Sequence, residues 1–173
     1  MTDELWLALD SSAVGGIESH VLQLAIGLTS AGYPVRVIFV QNHGPHPLRQ
    51  ALSSYDIAFT VMSGAASFMA AVLRMRPKLV HTHGYKAGLL GRFACRCLNI
   101  PVVSTYHAGE RNRGLLAIYD WLDRVSAPLA NRRLAVSQRI ASRLGAACTV
   151  LDNFVDVPRK VSTSGTQVAF VGR

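Results

Sequence analysis

No apolar run in this sequence approaches the roughly 18 to 20 residues that a membrane-spanning helix requires, which excludes an integral helical membrane segment within these 173 residues. The opening stretch MTDELWLALD places Asp3 and Glu4 where a signal peptide carries Lys or Arg, so a cytosolic chain is expected. Cysteine is scarce. Cys95 and Cys97 are too close in sequence to bridge comfortably, Cys148 has no obvious partner, and a lone CxC without a second pair excludes a zinc ribbon. Disorder is excluded too, because half of the residues are hydrophobic and 16% are charged. Acidic residues number ten against 18 basic ones, of which three are Lys, and the net charge is +8. The arginines gather at Arg92, Arg96, Arg111, Arg113, Arg124, Arg132, Arg133, Arg139 and Arg143. Such a surface attracts phosphorylated substrates, anionic lipid or nucleic acid, or it is merely well solvated.

What is present is a regular alternation of short β-rich runs and helical stretches, the pattern of an α/β domain with a parallel sheet. Strands are predicted at 5–10, 35–40, 57–62, 78–83, 101–107, 133–137 and 149–151. Helices are predicted at 17–30, 48–54, 65–75, 87–98, 115–131 and 138–144. The first helix has Val21, Leu22, Ala25, Ile26 and Leu28 near helical spacing, then Gly32 and Pro34 as a stop. About seven strands with short connections describe a Rossmann-like, doubly wound, mostly parallel sheet. Residues 1–155 are expected to form this domain, and 156–167 (DVPRKVSTSGTQ) shift to the composition of a linker. The run VAFVGR at 168–173 then reads as the first strand of a second, truncated domain.

Ligands of such sheets bind beyond the carboxyl ends of the strands. Those positions hold Asp10, Gly15 and Gly16, Asn42 and His43, His83 to Lys86, His107 to Arg113, Ser137, and Asp152 with Asn153. Gly15 and Gly16 precede a helix N-terminus, where free N–H groups and the helix dipole suit an anion; an ordinary tight turn has the same appearance. The loop lacks GxGxxG, and the second strand ends Val40-Gln41-Asn42 without an acid, which excludes the usual nicotinamide dinucleotide site. His81 and His83 point to one face of their strand, but no third ligand follows at a suitable spacing, so no metal site is assigned. His81 is expected to be buried, with His83 and His107 facing the rim. In the 115–131 helix, Leu115, Ile118, Tyr119, Leu122, Val125 and Leu129 form a stripe that suits a core-facing side. The competing reading rests Trp121 and the flanking arginines on a membrane surface.

Several segments, in order, resemble one family. VGGIESHVLQLAIGLTSAGYPVRVI is similar to the opening of the retaining glycosyltransferases of family four, which have the GT-B fold of two Rossmann-like halves. KLVHTHGYKAGLLGRFACRCLNIPVVSTYHAGE resembles that family's His-x-His and Thr-x-His segment, RRLAVSQRIASRL its Val-Ser strand and helix, and VLDNFVDVP the motif closing its first domain. The resemblance implies an acceptor-side, N-terminal half of an enzyme that moves a sugar from an NDP-sugar to a glycan or lipid-linked acceptor. It implies retention of anomeric configuration and no required metal or other cofactor.

By that resemblance Gly15 and Gly16 lie against the donor phosphates or the acceptor, and His107 lies by the donor sugar as the residue of this half closest to the chemistry. Glu18 matches the motif's acid, or is simply a first-turn acid stabilised by the helix dipole. His83, Tyr85, Lys86 and Arg111 are acceptor-site candidates by position. The chain departs from the family pattern at Phe154, where a glycine is usual. Since the donor half is not in the sequence, residues 1–173 alone are expected to be inactive. The expected partners are the NDP-sugar, the acceptor and an anionic membrane surface at the cytoplasmic face. Nucleic acid is not expected, for no aromatic-interleaved basic motif is present. The alternative from a different class is a non-catalytic binding or regulatory domain of the same fold.

Overall fold

In the computed structural model the described residues are 2–13, 15–107, 114–144 and 147–151. They form seven strands and six α-helices in alternation. The first half contains β1 (Leu5–Leu9), α1 (Gly16–Ser30), β2 (Val35–Phe39), α2 (Pro47–Ser54), β3 (Ala58–Val61) and α3 (Ala65–Met75). The second contains β4 (Leu79–His83), α4 (Tyr85–Leu98), β5 (Val102–Tyr106), α5 (Leu115–Val125), β6 (Arg132–Ala135), α6 (Gln138–Leu144) and β7 (Cys148–Val150). The sheet order is β3-β2-β1-β4-β5-β6-β7, and every pairing is parallel. This is the Rossmann-like fold the alternation predicts, with the predicted strand count. The order reverses between β1 and β4, and the loops after these strands open the crevice in which such sheets bind ligands.

Strand periodicity explains the two cores. Trp6 and Ala8 of β1 pack with Ile38, Val80, Phe68 and Val72 on the side of α3 and α4. Leu7 and Leu9 point the other way, joining Val37, Phe39, Leu52, and Val21 and Ala25 of α1. A strand covered on both faces cannot alternate apolar with polar residues, which is why LWLAL is a continuous apolar run.

Two further features position the cavity described below. First, α4 lies very close to the sheet at Gly91, where an added Cβ would come well inside van der Waals contact distance of Thr82 Cγ2 on β4. Secondly, Arg92 is fully buried, so it does not belong to the basic surface that its place among the arginines suggests. Its Nη1 donates to Ser104 Oγ at 3.1 Å and to the Tyr106 hydroxyl at 3.2 Å. Its Nη2 donates to Asp123 Oδ1 at 2.5 Å and Ser126 Oγ at 2.8 Å.

That network corrects the reading of the fifth helix as docked by an apolar stripe. Ile118, Trp121 and Val125 are all more than half exposed, and the buried side of α5 carries Asp123 and Ser126. The helix also ends earlier than its hydrophobic pattern suggests. Pro128 cannot donate to the helical ladder, and Ala127–Leu129 continue as a 3-10 turn.

The close approach of α4 makes a prediction with an unusual sign. Alanine normally favours a helix over glycine by about 1 kcal/mol, and Gly27 of α1 has open space around its Cβ direction. Gly27→Ala is therefore expected to stabilise the domain in urea unfolding. Gly91→Ala is expected to destabilise it, since overpacking costs about 1–3 kcal/mol.

Candidate functional site

The strand ends carry a cavity of about 370 Å³. Asp10 after β1, Gly84, Tyr85 and Lys86 at the start of α4, and Thr105 to His107 at the end of β5 form one side. Tyr119, Asp120, Asp123 and Arg124 of α5 face them, with Ile140, Arg143 and Leu144 of α6 closing the far end. Gly84 has φ 82, a left-handed conformation that a side chain resists, and it lets the chain turn directly from β4 into α4.

The polar groups of this cavity are mutually braced. Asp10 pairs with His43 (Nε2 to Oδ1, 2.8 Å) and with Lys86 (Nζ to Oδ2, 3.1 Å). Lys86 also donates to Gln41 Oε1, so one cation ties the ends of β1 and β2 to α4. On the opposite wall, Arg124 and Asp120 pair one helical turn apart at 3.1 Å. Burial lifts the Asp123 carboxyl to about 6, against the pull of Arg92, because a desolvated anion is costly even beside a cation.

Beneath this rim lies a cluster of imidazoles. Leu7 and Leu9 of β1 are in register with His81 and His83, so both histidines face the side of the sheet covered by α1. His83 is opposite Thr105 on β5, and His107 follows two residues later on the same face. His20 enters from above, on α1. Its ring lies 4.9 Å from that of His107 and 5.5 Å from that of His83. His83 Nδ1 and His107 Nε2 are 3.2 Å apart, while His81 shares a 2.7 Å hydrogen bond with Thr105. Burial, with the neighbouring rings, depresses His81 to about 3 and His107 to about 4, and holds His83 well below its usual value. At neutral pH these rings are uncharged, so His107 offers the cavity one N–H and one lone pair and no cationic charge.

The residues singled out from sequence are placed unevenly. His107, Tyr85 and Lys86 line the cavity together. His81 is buried as expected, but His83 is fully buried as well and does not face the rim. Gly15 is the N-cap of α1, in extended backbone, and Gly16 is its first residue. Neither needs glycine for its backbone, and a Cβ at Gly16 would meet nothing among the described residues. Glu18 is buried in the first turn of α1, where the dipole favours an acid, and it is not among the cavity-lining residues. Arg111, Asp152, Asn153 and the segments 156–167 and 168–173 lie outside the described residues.

Sequence reasoning missed His20, although it falls on the apolar side of α1 with Ile17, Val21 and Leu24, where an imidazole is out of place. It also missed Tyr119, Asp120 and Asp123, for which the sequence offers no signal beyond their helix. A helix register alone does not say which side meets a cavity.

The seven-stranded parallel sheet with a cavity at its carboxyl rim has the architecture of one half of a GT-B fold. Residues 14–159 match the sequence profile of Glycosyltransferase Family 4, and the chain belongs to that family. Glycogen synthase of Mycobacterium tuberculosis is 26% identical over 211 aligned positions, which cover 92% of this chain and 51% of the relative. Among solved structures, HepE of Anabaena, determined in complex with UDP, superposes with a TM-score of 0.74 at 17% identity, covering 88% of this chain and 44% of that one. MurG of Acinetobacter baumannii superposes with a TM-score of 0.63 at 14% identity, covering 87% and 45%. The chain thus spans about half the length of the relatives it matches.

The buried imidazoles have a measurable consequence. An unfolded chain takes up protons at its histidines near pH 6.5, whereas folded His107 and His81 do so only near 4 and 3. Their contribution to stability is therefore complete above pH 6.5 and declines as the pH falls toward 4 and then 3. Asp123 acts in the opposite sense, because its folded carboxyl binds a proton near 6. The histidines outnumber it, so the urea midpoint is expected to fall between pH 7 and pH 4.5, less steeply in His107→Gln.

Proposed function

We propose that this chain forms the acceptor-side half of a glycosyltransferase that moves a sugar from an NDP-sugar to a glycan or lipid-linked acceptor, with retention of configuration. Cell-surface polysaccharide or glycolipid synthesis at the cytoplasmic face is the setting this reading implies. The observation that carries it is the cavity at the strand ends of a family-four domain, which brings His107, Tyr85 and Lys86 to one rim. Relatives that synthesise glycogen or bind UDP and UDP-glucose fit a nucleotide-sugar donor. The donor would be held mainly by a second domain, and no metal or other cofactor is needed in this scheme.

Within it, His107 has the role closest to the reacting sugar. A neutral imidazole at the cavity edge can hydrogen-bond a sugar hydroxyl without competing electrostatically with the cationic groups that hold phosphate. Gly15 and Gly16 would admit a phosphate or the acceptor to the N-terminus of α1. Among the described residues nothing lies within 4 Å of a Cβ at Gly16, which leaves room there for a ligand. Lys86 and Tyr85 line the cavity and suit acceptor hydroxyls, with Arg111, four residues after His107 in the sequence, as a further candidate. His83 would act through His107, to which it is hydrogen-bonded, and Glu18 through the helix terminus it stabilises.

Two experiments test this. In the full-length enzyme, His107→Ala is expected to lower kcat by about 100-fold with the circular dichroism spectrum unchanged, and unaltered turnover would remove the role. Residues 1–173 alone are expected to transfer no sugar; a full-length protein that is also inactive with every NDP-sugar would favour a non-catalytic binding domain.

A second reading concerns the membrane. Ile118, Trp121 and Val125 are exposed on one side of α5, and Arg124, Arg132, Arg139 and Arg143 are exposed nearby in the chain. An aromatic and aliphatic face bordered by cations suits anionic headgroups. Binding to phosphatidylglycerol vesicles is expected in flotation at low salt, reduced by Trp121→Ser with Arg124→Ser. Retention equal to that on neutral vesicles would remove the idea.

A further inference from the structure

We propose that His20, His83 and His107 form a binding site for a divalent transition-metal cation of the zinc class. The three residues each offer a ring nitrogen, and these nitrogens all lie within 4.8 Å of one another. Two ligand nitrogens around a tetrahedral zinc ion are separated by about 3.4 Å, given Zn–N bonds of about 2.0–2.1 Å. The 3.2 Å between His83 Nδ1 and His107 Nε2 already matches that spacing.

The donors come from three different elements: α1, the last residue of β4 and the first residue after β5. All three are held by the parallel sheet and by the packing of Val21 and Ala25 against it. A site assembled on such elements loses little entropy when the ion enters. His81 packs on His83 with ring centroids 4.3 Å apart and is itself fixed by Thr105, so the His83 ring has a rigid backing.

The site is enclosed on one side, where His20 and His83 are buried, and open on the other, where His107 lines the cavity. The donor set also selects the ion. Three imidazoles suit zinc, cobalt, nickel or copper, whereas magnesium and calcium require oxygen ligands.

His107 lines the cavity, so the fourth coordination position would open toward Asp10 and Lys86, where water or an anionic group can enter. Three neutral ligands leave the ion's full charge in place. Occupancy would therefore withdraw the His107 lone pair from the cavity and put a cation at its edge. This inference does not rest on the glycosyl-transfer reading, since metal binding is measured without substrate.

The test uses the metal-free chain at pH 7.5, titrated with Co²⁺ as a spectroscopic probe and then with Zn²⁺. A visible absorption band of tetrahedral cobalt, displaced by Zn²⁺, is expected. Zn²⁺ should raise the melting temperature and Mg²⁺ should not. His20→Ala and His107→Ala are each expected to weaken Zn²⁺ binding by more than about 100-fold, beyond the 10–100-fold that outer-shell changes cause. Should either variant fail to fold, X-ray absorption of the zinc-loaded native chain reports the ligands directly, with three imidazoles expected. The proposal is overturned by an absent zinc response in the native chain, by equal binding in both folded variants, or by a spectrum dominated by sulfur from Cys97 or Cys148.

Discussion

The buried guanidinium of Arg92 determines how the second half of this domain is assembled. It stands in the interior of α4 with donors directed at β5, through Ser104 and Tyr106, and at the C-terminal turn of α5, through Asp123 and Ser126. A guanidinium placed in an apolar layer must be met by an anion and oriented acceptors, or the layer does not form. That requirement fixes α5 in orientation as well as position. Gly88 is part of the same arrangement, for a Cβ there would come 2.8 Å from Arg92 Nη1 and 2.9 Å from Asp123 Oδ1. Buried ion pairs contribute little net stability compared with apolar packing, and their better attested effect is to select one geometry. Here the selected geometry is a helix with its polar side inward and Ile118, Trp121 and Val125 outward.

The opposite face of the sheet is organised by different chemistry. Beneath α1 the strand ends present His81, His83 and His107, with His20 from the helix. Neutral imidazoles can be buried together where several ammonium groups could not, and each retains a donor and an acceptor. The cavity lies between these two regions. Its one wall depends on the histidine layer and on the Asp10–Lys86 pair, and its other on the helix that Arg92 holds. The chain spans about half the length of the curated relatives it matches.

The elements were legible in the sequence because their signals are local. Ala65–Met75 and Gln138–Leu144 have the predicted limits, and β1 to β7 differ from prediction by one or two residues at their ends. The exception is α5, whose apolar stripe suits a core-facing side, while Ile118 and Val125 of that stripe face outward. Its packing is governed by Arg92, 31 residues from Asp123 in the chain, and no pattern within the helix reports a partner at that distance. The candidate site was legible in part. His107, Tyr85 and Lys86 follow strands, where the rule for parallel sheets places ligand contacts. His83 follows the same rule but is enclosed by α1, whose His20 arrives from 63 positions earlier in the sequence.

The sequence by itself therefore determined the alternation of strand and helix, the parallel sheet, the family and the rim on which polar residues gather. Periodicity and turn chemistry act over a few residues, and motif order survives without coordinates. Only the tertiary structure decided which side chains meet. The placement of β4 between β1 and β5 brings three histidines beneath the helix that carries a fourth, and the depth of α4 on the sheet turns Arg92 from an apparent surface charge into an internal anchor. Those outcomes depend on strand order and on packing distances between remote segments, which no local pattern contains.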